Sequence, residues 1–98
     1  MIATATETKT DERGVALWRL LLVSEFLRQC AFPLETPTIQ REIGERAGRE
    51  WSRQTVLRDL QLLARTGAVK PVAAAHRGGA ARWQWVGVRS LLEQRPGA

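Results

Sequence analysis

The sequence predicts a mainly helical α+β domain in which three helices precede a β-hairpin. Apolar residues recur at helical spacing through the first two thirds of the chain. Proline or glycine ends each of these helical runs. A glycine turn near the C-terminus then separates two short runs that have strand character. With 98 residues, the chain holds a single domain with one small core.

Helix 1 is predicted from residue 14 to about residue 31, where Pro33 stops a run of strong helix formers. Residues 1–13 show no hydrophobic period and are expected to form a flexible N-terminal arm ahead of a domain over residues 14–95 and a tail over 96–98. Helix 1 is apolar on two sides, so it requires burial on both. A homodimer through helix 1 and complete coverage within the domain remain alternatives. The two faces are Leu17, Leu20, Leu21 with Ser24, and Val15, Val23, Phe26 with Cys30.

Helix 2 is predicted to begin after a loop over residues 34–38. Thr36 is suited to the N-cap position and Pro37 to the first helical position. Ile39 and Ile43 repeat at four-residue spacing and form the buried side. Gly48 follows the last helical residue, where a left-handed conformation ends many helices.

Helix 3 is predicted from Arg53 to about Thr66, with Ser52 as its N-cap and Gly67 beyond its end. Trp51 and Val56 occupy the two positions of a hydrophobic staple around this start, which fixes the angle at which the chain enters the helix. The inward face comprises Val56, Leu57, Leu60, Leu63 and Ala64.

Two strands follow and predict the hairpin. The first covers residues 68–75, and Pro71 within it indicates an edge strand. A glycine-containing turn covers 76–81, and the second strand covers 82–88. A short final helix is predicted over 90–94. The second strand alternates, which places Trp83 and Trp85 on its core side.

The net charge of +5 is concentrated in the second part of the chain. Residues 1–37 carry four basic and five acidic side chains, whereas residues 38–98 carry eleven basic and five acidic ones. Codon bias and the recognition of phosphates and base edges by arginine are alternative explanations of the high ratio of arginine to lysine. Codon bias does not explain where the charge lies. A positive excess confined to one part of a domain favours a polyanionic partner such as nucleic acid.

Catalytic and metal-binding functions find no support in the residue types. With one cysteine, Cys30, and one histidine, His76, no internal disulfide or cysteine zinc finger forms. His76 is expected on an exposed turn and Cys30 as a small buried apolar residue. We therefore expect no catalytic residue, no metal and no cofactor. The apolar run over 15–23 is too short to span a membrane and residues 1–10 do not resemble a secretory signal, so a cytoplasmic location is expected.

Helix 3 is the strongest candidate for contact with double-stranded DNA. Three helices followed by a hairpin, with a short glycine-containing turn between helices 2 and 3, is the order of a winged helix-turn-helix. Gln54, Thr55 and Arg58 lie in its first two turns, where such a helix contacts base edges. Arg53 lies beside the free amides of the helix start, which favour a phosphate. The other candidate contacts are Arg65 on helix 3 and Arg77 and Arg82 beside the hairpin tip. A helical wheel also places Trp51 and Leu62 on the outer side.

A resemblance to a known family supports this interpretation. The string Ser52-Arg53-Gln54-Thr55-Val56-Leu57-Arg58-Asp59-Leu60, followed by Leu63 and Gly67-Ala68-Val69, is similar to the helix-turn-helix of DeoR-like bacterial regulators. The resemblance covers about residues 36–88. It implies that Thr55 and Arg58 contact DNA and that Asp59 orients or caps the helix instead of touching DNA. The connection from Gly48 to Ser52 is about two residues longer than in that family.

Two functional hypotheses follow. The first is a DNA-binding transcriptional regulator of the small stand-alone type that bacteria, phages and plasmids encode, with no small-molecule effector, because the sugar-phosphate sensor of DeoR-like regulators has no counterpart here. The second is a winged helix that serves as a protein–protein interaction module in a replication, partition or host-takeover assembly. A DNA reader leaves the outer face of helix 3 free and polar, whereas an interaction module buries Leu62 and Trp51 against its partner.

Overall fold

A computed structural model of the chain describes residues 4–74 and 76–87, with the side chains of the first helix described from Glu12 onward. This part of the chain is mainly helical and carries a small three-stranded antiparallel sheet, which confirms the predicted α+β class. The elements in chain order are α1 (Thr4–Gln29), β1 (Leu34–Glu35), α2 (Thr36–Ala47), α3 (Arg53–Thr66), β2 (Val69–Val72) and β3 (Arg82–Trp85).

Helix α1 is longer than predicted. It begins at Thr4, so the expected start near residue 14 is wrong and residues 4–13 are helical. These residues contain no glycine or proline, so nothing in them ends a helix that is already nucleated. The lack of an apolar period does not prevent a helix, and six of the seven residues from 12 to 18 are exposed.

The core lies where one face of α1 meets α2, α3 and the sheet. Val23 of α1 is 0% exposed, which confirms the predicted face that contains Val23 as a core face, and Leu27, which neither predicted face included, is also buried at 1%. The other face is covered only in part, because Leu20 packs against the core whereas Leu17 and Leu21 keep 58% and 59% of their surface. The remaining core residues are Phe26, Ile39, Ile43, Val56, Leu60, Leu63, Ala68, Val69 and Trp83.

The sheet contains a strand that the sequence did not predict. Residues 34–38 were expected as a loop, but β1 pairs with β3, with Leu34 opposite Trp83. The strand order is β1-β3-β2, so β2 lies at an edge, as Pro71 indicates. Strands β2 and β3 are shorter than expected, and Trp83 is buried as expected. The predicted final helix over 90–94 lies outside the described residues.

Thr36 does not cap α2, contrary to the sequence prediction. Glu35 occupies the N-cap position with no side-chain cap, and Thr36 is already helical. The Thr36 hydroxyl instead accepts a hydrogen bond of 2.9 Å from the indole Nε1 of Trp83. Both residues are buried, so this bond satisfies the two polar groups and fixes β3 against the start of α2.

Gly44 has a packing role that gives a first testable prediction. A Cβ at Gly44 lies 2.8 Å from the carbonyl oxygen of Arg49, which belongs to the rigid turn after α2. We expect Gly44→Ala to destabilise the protein by about 1–3 kcal/mol in urea unfolding, because the turn must move to relieve the overlap. Gly14→Ala in α1 is the control, since nothing lies within 4 Å of that Cβ. It is expected to stabilise by about 0.5–1 kcal/mol through helix propensity, and destabilisation of equal size in both variants contradicts the packing role of Gly44.

Candidate nucleic-acid interface

The ends of α3 form as the sequence predicts. The Ser52 hydroxyl accepts a hydrogen bond of 3.1 Å from the backbone amide of Thr55, which caps the first turn. Gly67 adopts a left-handed conformation with φ of 86° and its amide bonds back to the last turn. The helix therefore has a fixed length and a fixed start, which places its outer side chains at defined positions.

The exposed side of α3 carries a line of polar side chains that we call the α3 stripe. It comprises Gln54, Arg58, Gln61 and Arg65, which are all exposed. Their spacing of four, three and four residues keeps them on one side of the helix over about 16 Å. Gln61 was missed in the sequence analysis, although its position between Arg58 and Arg65 on the helical wheel was sufficient to identify it.

The charge of α3 is not neutralised on this side. Among the described residues, no carboxylate lies within 4.0 Å of the guanidinium groups of Arg53, Arg58 or Arg65. The helix contains one acidic residue, Asp59, and that carboxylate is buried and paired elsewhere. By contrast, Arg41 and Arg46 on α2 share the carboxylate of Glu42 at 3.8 and 3.9 Å. The α3 stripe is therefore the more strongly cationic surface of the two helices.

The other residues predicted to contact DNA differ in exposure and in whether their side chains are bound within the fold. Arg53 is exposed at the helix start, and Arg77 is exposed at the turn of the β2–β3 hairpin. Thr55 is half-buried, and its hydroxyl lies 2.9 Å from that of Ser52, so it takes part in the cap. Arg82 directs its Nε and Nη2 atoms at the Ala73 carbonyl oxygen, 3.1 and 2.8 Å away. Thr55 and Arg82 thus have structural contacts that the sequence did not predict.

An ion pair joins α3 to α1. The Nε and Nη2 atoms of Arg19 donate to the two carboxylate oxygens of Asp59 at 2.5 and 3.2 Å. The side chains keep only 15% and 9% exposure, so the pair is largely shielded from water. A bidentate arginine–carboxylate contact restricts both distance and orientation. It fixes the rotation of α3 about its axis and so the direction of the α3 stripe.

Trp51 forms a second link between α3 and the rest of the fold. Its ring meets that of Trp18 edge-on at 6.0 Å, and the guanidinium groups of Arg19 and Arg49 lie 5.8 and 5.5 Å from it. Gln40 of α2 donates a 2.8 Å hydrogen bond to the Trp51 carbonyl oxygen. Trp51 directly precedes the Ser52 cap, so these contacts hold the start of α3. The predicted outward position of Trp51 is wrong, because the residue is half-buried.

A groove of about 680 Å³ lies beside Trp51, between the outer side of α2 and the turn that leads to α3. Two arginines, Arg41 and Arg49, and two glutamates, Glu45 and Glu50, line it. These charges balance, so the groove has no preference for an anion. The cationic side chains of α3 remain the better candidate for a polyanionic ligand.

Cys30 and His76 have surroundings that fit the sequence prediction in part. His76 is exposed on the hairpin turn. Cys30 is only half-buried, and its thiol donates to the Phe26 carbonyl oxygen at 3.2 Å. Burial raises the pKa of this thiol, which disfavours the reactive thiolate. Among the described residues, no group of three or more histidine, cysteine or acidic side chains has the arrangement of a metal site.

No family model matches the chain, and neither the curated proteins nor the solved structures contain a significant match. The resemblance to DeoR-like regulators therefore rests on the sequence motifs within residues 36–88 alone and stays a prediction. None of the helices in the described part of the chain has the length and apolarity that a membrane crossing requires.

Proposed function

We propose that this chain is a winged helix-turn-helix protein that binds double-stranded DNA and regulates transcription. Helix α3 lies in the major groove and presents the α3 stripe to base edges. The β2–β3 hairpin is the wing and places Arg77 against the phosphate backbone or in the minor groove. No catalytic step and no cofactor belong to this function.

The observation that carries the proposal is the cationic and unpaired outer face of α3. Three arginines lie on the exposed part of this helix and, among the described residues, none has a carboxylate within 4.0 Å, while the one carboxylate of the helix is turned inward to Arg19. A solvated face with no binding role commonly mixes both signs of charge, as α2 does with Arg41, Glu42 and Arg46. A helix whose exposed polar side chains are arginines and amides is suited to phosphates and base edges.

The contacts of α3 with α1 and α2 add support. A helix that reads DNA must hold its side chains in a fixed orientation, because hydrogen bonds to bases depend on geometry. Arg19 fixes α3 from one side through Asp59, and Gln40 fixes its start through Trp51. The longer turn between α2 and α3 is therefore held in place and does not leave α3 free to move.

The test is duplex binding by fluorescence anisotropy across a salt series, with the wild type and Arg58→Ala. We expect affinity to fall steeply with salt, because arginine contacts release counterions from the phosphates. On a site selected from random duplexes, Arg58→Ala is expected to cost about 1–3 kcal/mol, and less on unselected DNA. If a folded wild type shows no salt-sensitive binding to any duplex, the proposal fails.

A protein–protein interaction module is the second candidate. The observation that favours it is the exposure of Leu62 on α3, which keeps 45% of its surface. This hypothesis expects Leu62→Ser to weaken capture of a protein partner while Arg58→Ala has no effect. The DNA hypothesis expects Arg58→Ala to weaken duplex binding more than Leu62→Ser does. Trp51, the other residue that an interaction module needs, is engaged within the fold by Trp18.

A further inference from the structure

The second apolar face of α1 is largely exposed, although one of its residues, Trp18, also meets Trp51 within the domain. Leu17, Trp18 and Leu21 keep 58%, 43% and 59% exposure, and we call these three residues the α1 patch. They lie at positions i, i+1 and i+4, so they form one contiguous area on the helix. Three large apolar side chains grouped on one helix face are typical of a contact site, whereas scattered ones are not.

We infer that the α1 patch binds a second copy of this chain, with the two α1 helices antiparallel. The inference does not depend on DNA binding, although it deepens the proposed function. A contact between identical chains with two-fold symmetry must use one surface that complements itself. The surface of α1 complements itself when the two-fold axis crosses the helix at the level of Arg19. The Arg19 side chain itself points inward to Asp59.

The charges beside the α1 patch set the orientation of the two helices. In an antiparallel pair centred at residue 19, Leu17 lies opposite Leu21 of the second copy, and Arg13 lies opposite Glu25. Both charged side chains are exposed and lie beyond the two ends of the patch. In a parallel pair, Arg13 meets Arg13 and Glu25 meets Glu25, which is unfavourable. The sequence of charges along α1 therefore selects the antiparallel arrangement.

The area of the α1 patch determines the affinity that we expect for the dimer. A stable dimer usually buries about 800 Å² on each partner, and three side chains with their neighbours cover less. The exposed charges contribute little, because water screens them and each Glu25 already pairs with Arg28 of its own chain. We therefore expect a reversible dimer with a Kd in the micromolar range, and association that depends on protein concentration.

The experiment measures the mass of the full chain by sedimentation velocity without DNA, from about 1 μM to about 500 μM, a range that brackets the expected Kd. The wild type is expected to change from monomer to dimer over this range. Leu21→Glu is expected to raise the Kd at least about a hundredfold, because two carboxylates then enter the apolar contact. Leu62→Glu, at an exposed leucine outside the patch, is the matched control and is expected to leave the Kd unchanged. Circular dichroism checks that each variant is folded.

Charge reversal tests the orientation. Arg13→Glu and Glu25→Arg are each expected to raise the Kd about threefold, since each creates two like-charge contacts between exposed side chains in the dimer. The double variant is expected to restore the wild-type value. A wild type that stays monomeric at the highest concentration overturns the inference, and so does a dimer that Leu21→Glu leaves intact. Failure of the double variant to restore affinity overturns the antiparallel arrangement. A monomer that still binds duplex DNA refutes only the dimer, whereas a dimer that binds no duplex refutes only the proposed function.

Discussion

Asp59→Ala is expected to lower the free energy of unfolding by about 3 kcal/mol. The substitution leaves the Arg19 guanidinium at 15% exposure without its bidentate partner, and an unpaired charge in that position loses most of its hydration. Removing one partner of a buried ion pair typically costs about 3–5 kcal/mol, and the remaining access of water to Arg19 places this pair at the lower end. Since small domains are stable by only about 5–15 kcal/mol, the effect is a large share of the total. Urea unfolding followed by tryptophan fluorescence measures it.

Two further variants separate the ion pair from other effects. Glu42→Ala removes a carboxylate that pairs with Arg41 and Arg46 at 3.8 and 3.9 Å on the surface, so we expect a change within about 0.5 kcal/mol. Arg19→Met combined with Asp59→Leu removes both charges and keeps apolar volume, so most of the lost stability is expected to return. If Asp59→Ala costs no more than Glu42→Ala, the pair between α1 and α3 does not hold the helix.

The ion pair between Arg19 and Asp59 also shows which contacts the sequence predicts and which it does not. Asp59 lies between Val56 and Leu60 on the buried side of α3, and a carboxylate there requires a partner. The resemblance to DeoR-like regulators implied that Asp59 orients or caps the helix and does not touch DNA, but the predicted inward face of helix 3 did not include Asp59. The sequence did not identify Arg19, because the partner lies 40 residues away and nothing local connects the two. Long-range pairs of this kind depend on the packing angle of the helices.

Elements of the fold that local sequence patterns specify were predicted. Elements that depend on distant residues were missed. The N-cap, the C-terminal glycine and the apolar spacing of α3 all lie within the helix, and its predicted bounds of Arg53 and Thr66 are confirmed. Strand β1 has only two residues and exists because β3 lies beside it, so no alternation marks it in the sequence. The wheel that placed Trp51 outward does not apply, since that residue precedes the helix.

The second prediction with a large expected effect concerns the α3 stripe. It separates the effect of where the arginines lie from the effect of the net charge on DNA binding. Arg58→Gln combined with Arg65→Gln removes two charges from the exposed side of α3. Arg28→Gln combined with Arg46→Gln removes two charges from α1 and α2, so both double variants have a net charge of about +3 by the same count that gives the wild type +5. The four side chains are all exposed, so folding is expected to be affected little in either variant.

Duplex binding is expected to respond to the first pair only. Loss of two phosphate or base contacts lowers the slope of log affinity against log salt by about 2 and weakens binding near 0.1 M salt by roughly 30–100-fold. The control pair is expected to shift affinity by less than about threefold, because its charges act through the general field alone. Anisotropy titrations of both variants against one duplex at several salt concentrations measure the two slopes. Equal losses in the two variants mean that DNA is attracted by net charge without docking on α3, and the assignment of α3 as the reading helix is then wrong. A loss confined to the α3 pair ties binding to the exposed side of α3, where Arg58 and Arg65 have no carboxylate within 4.0 Å among the described residues.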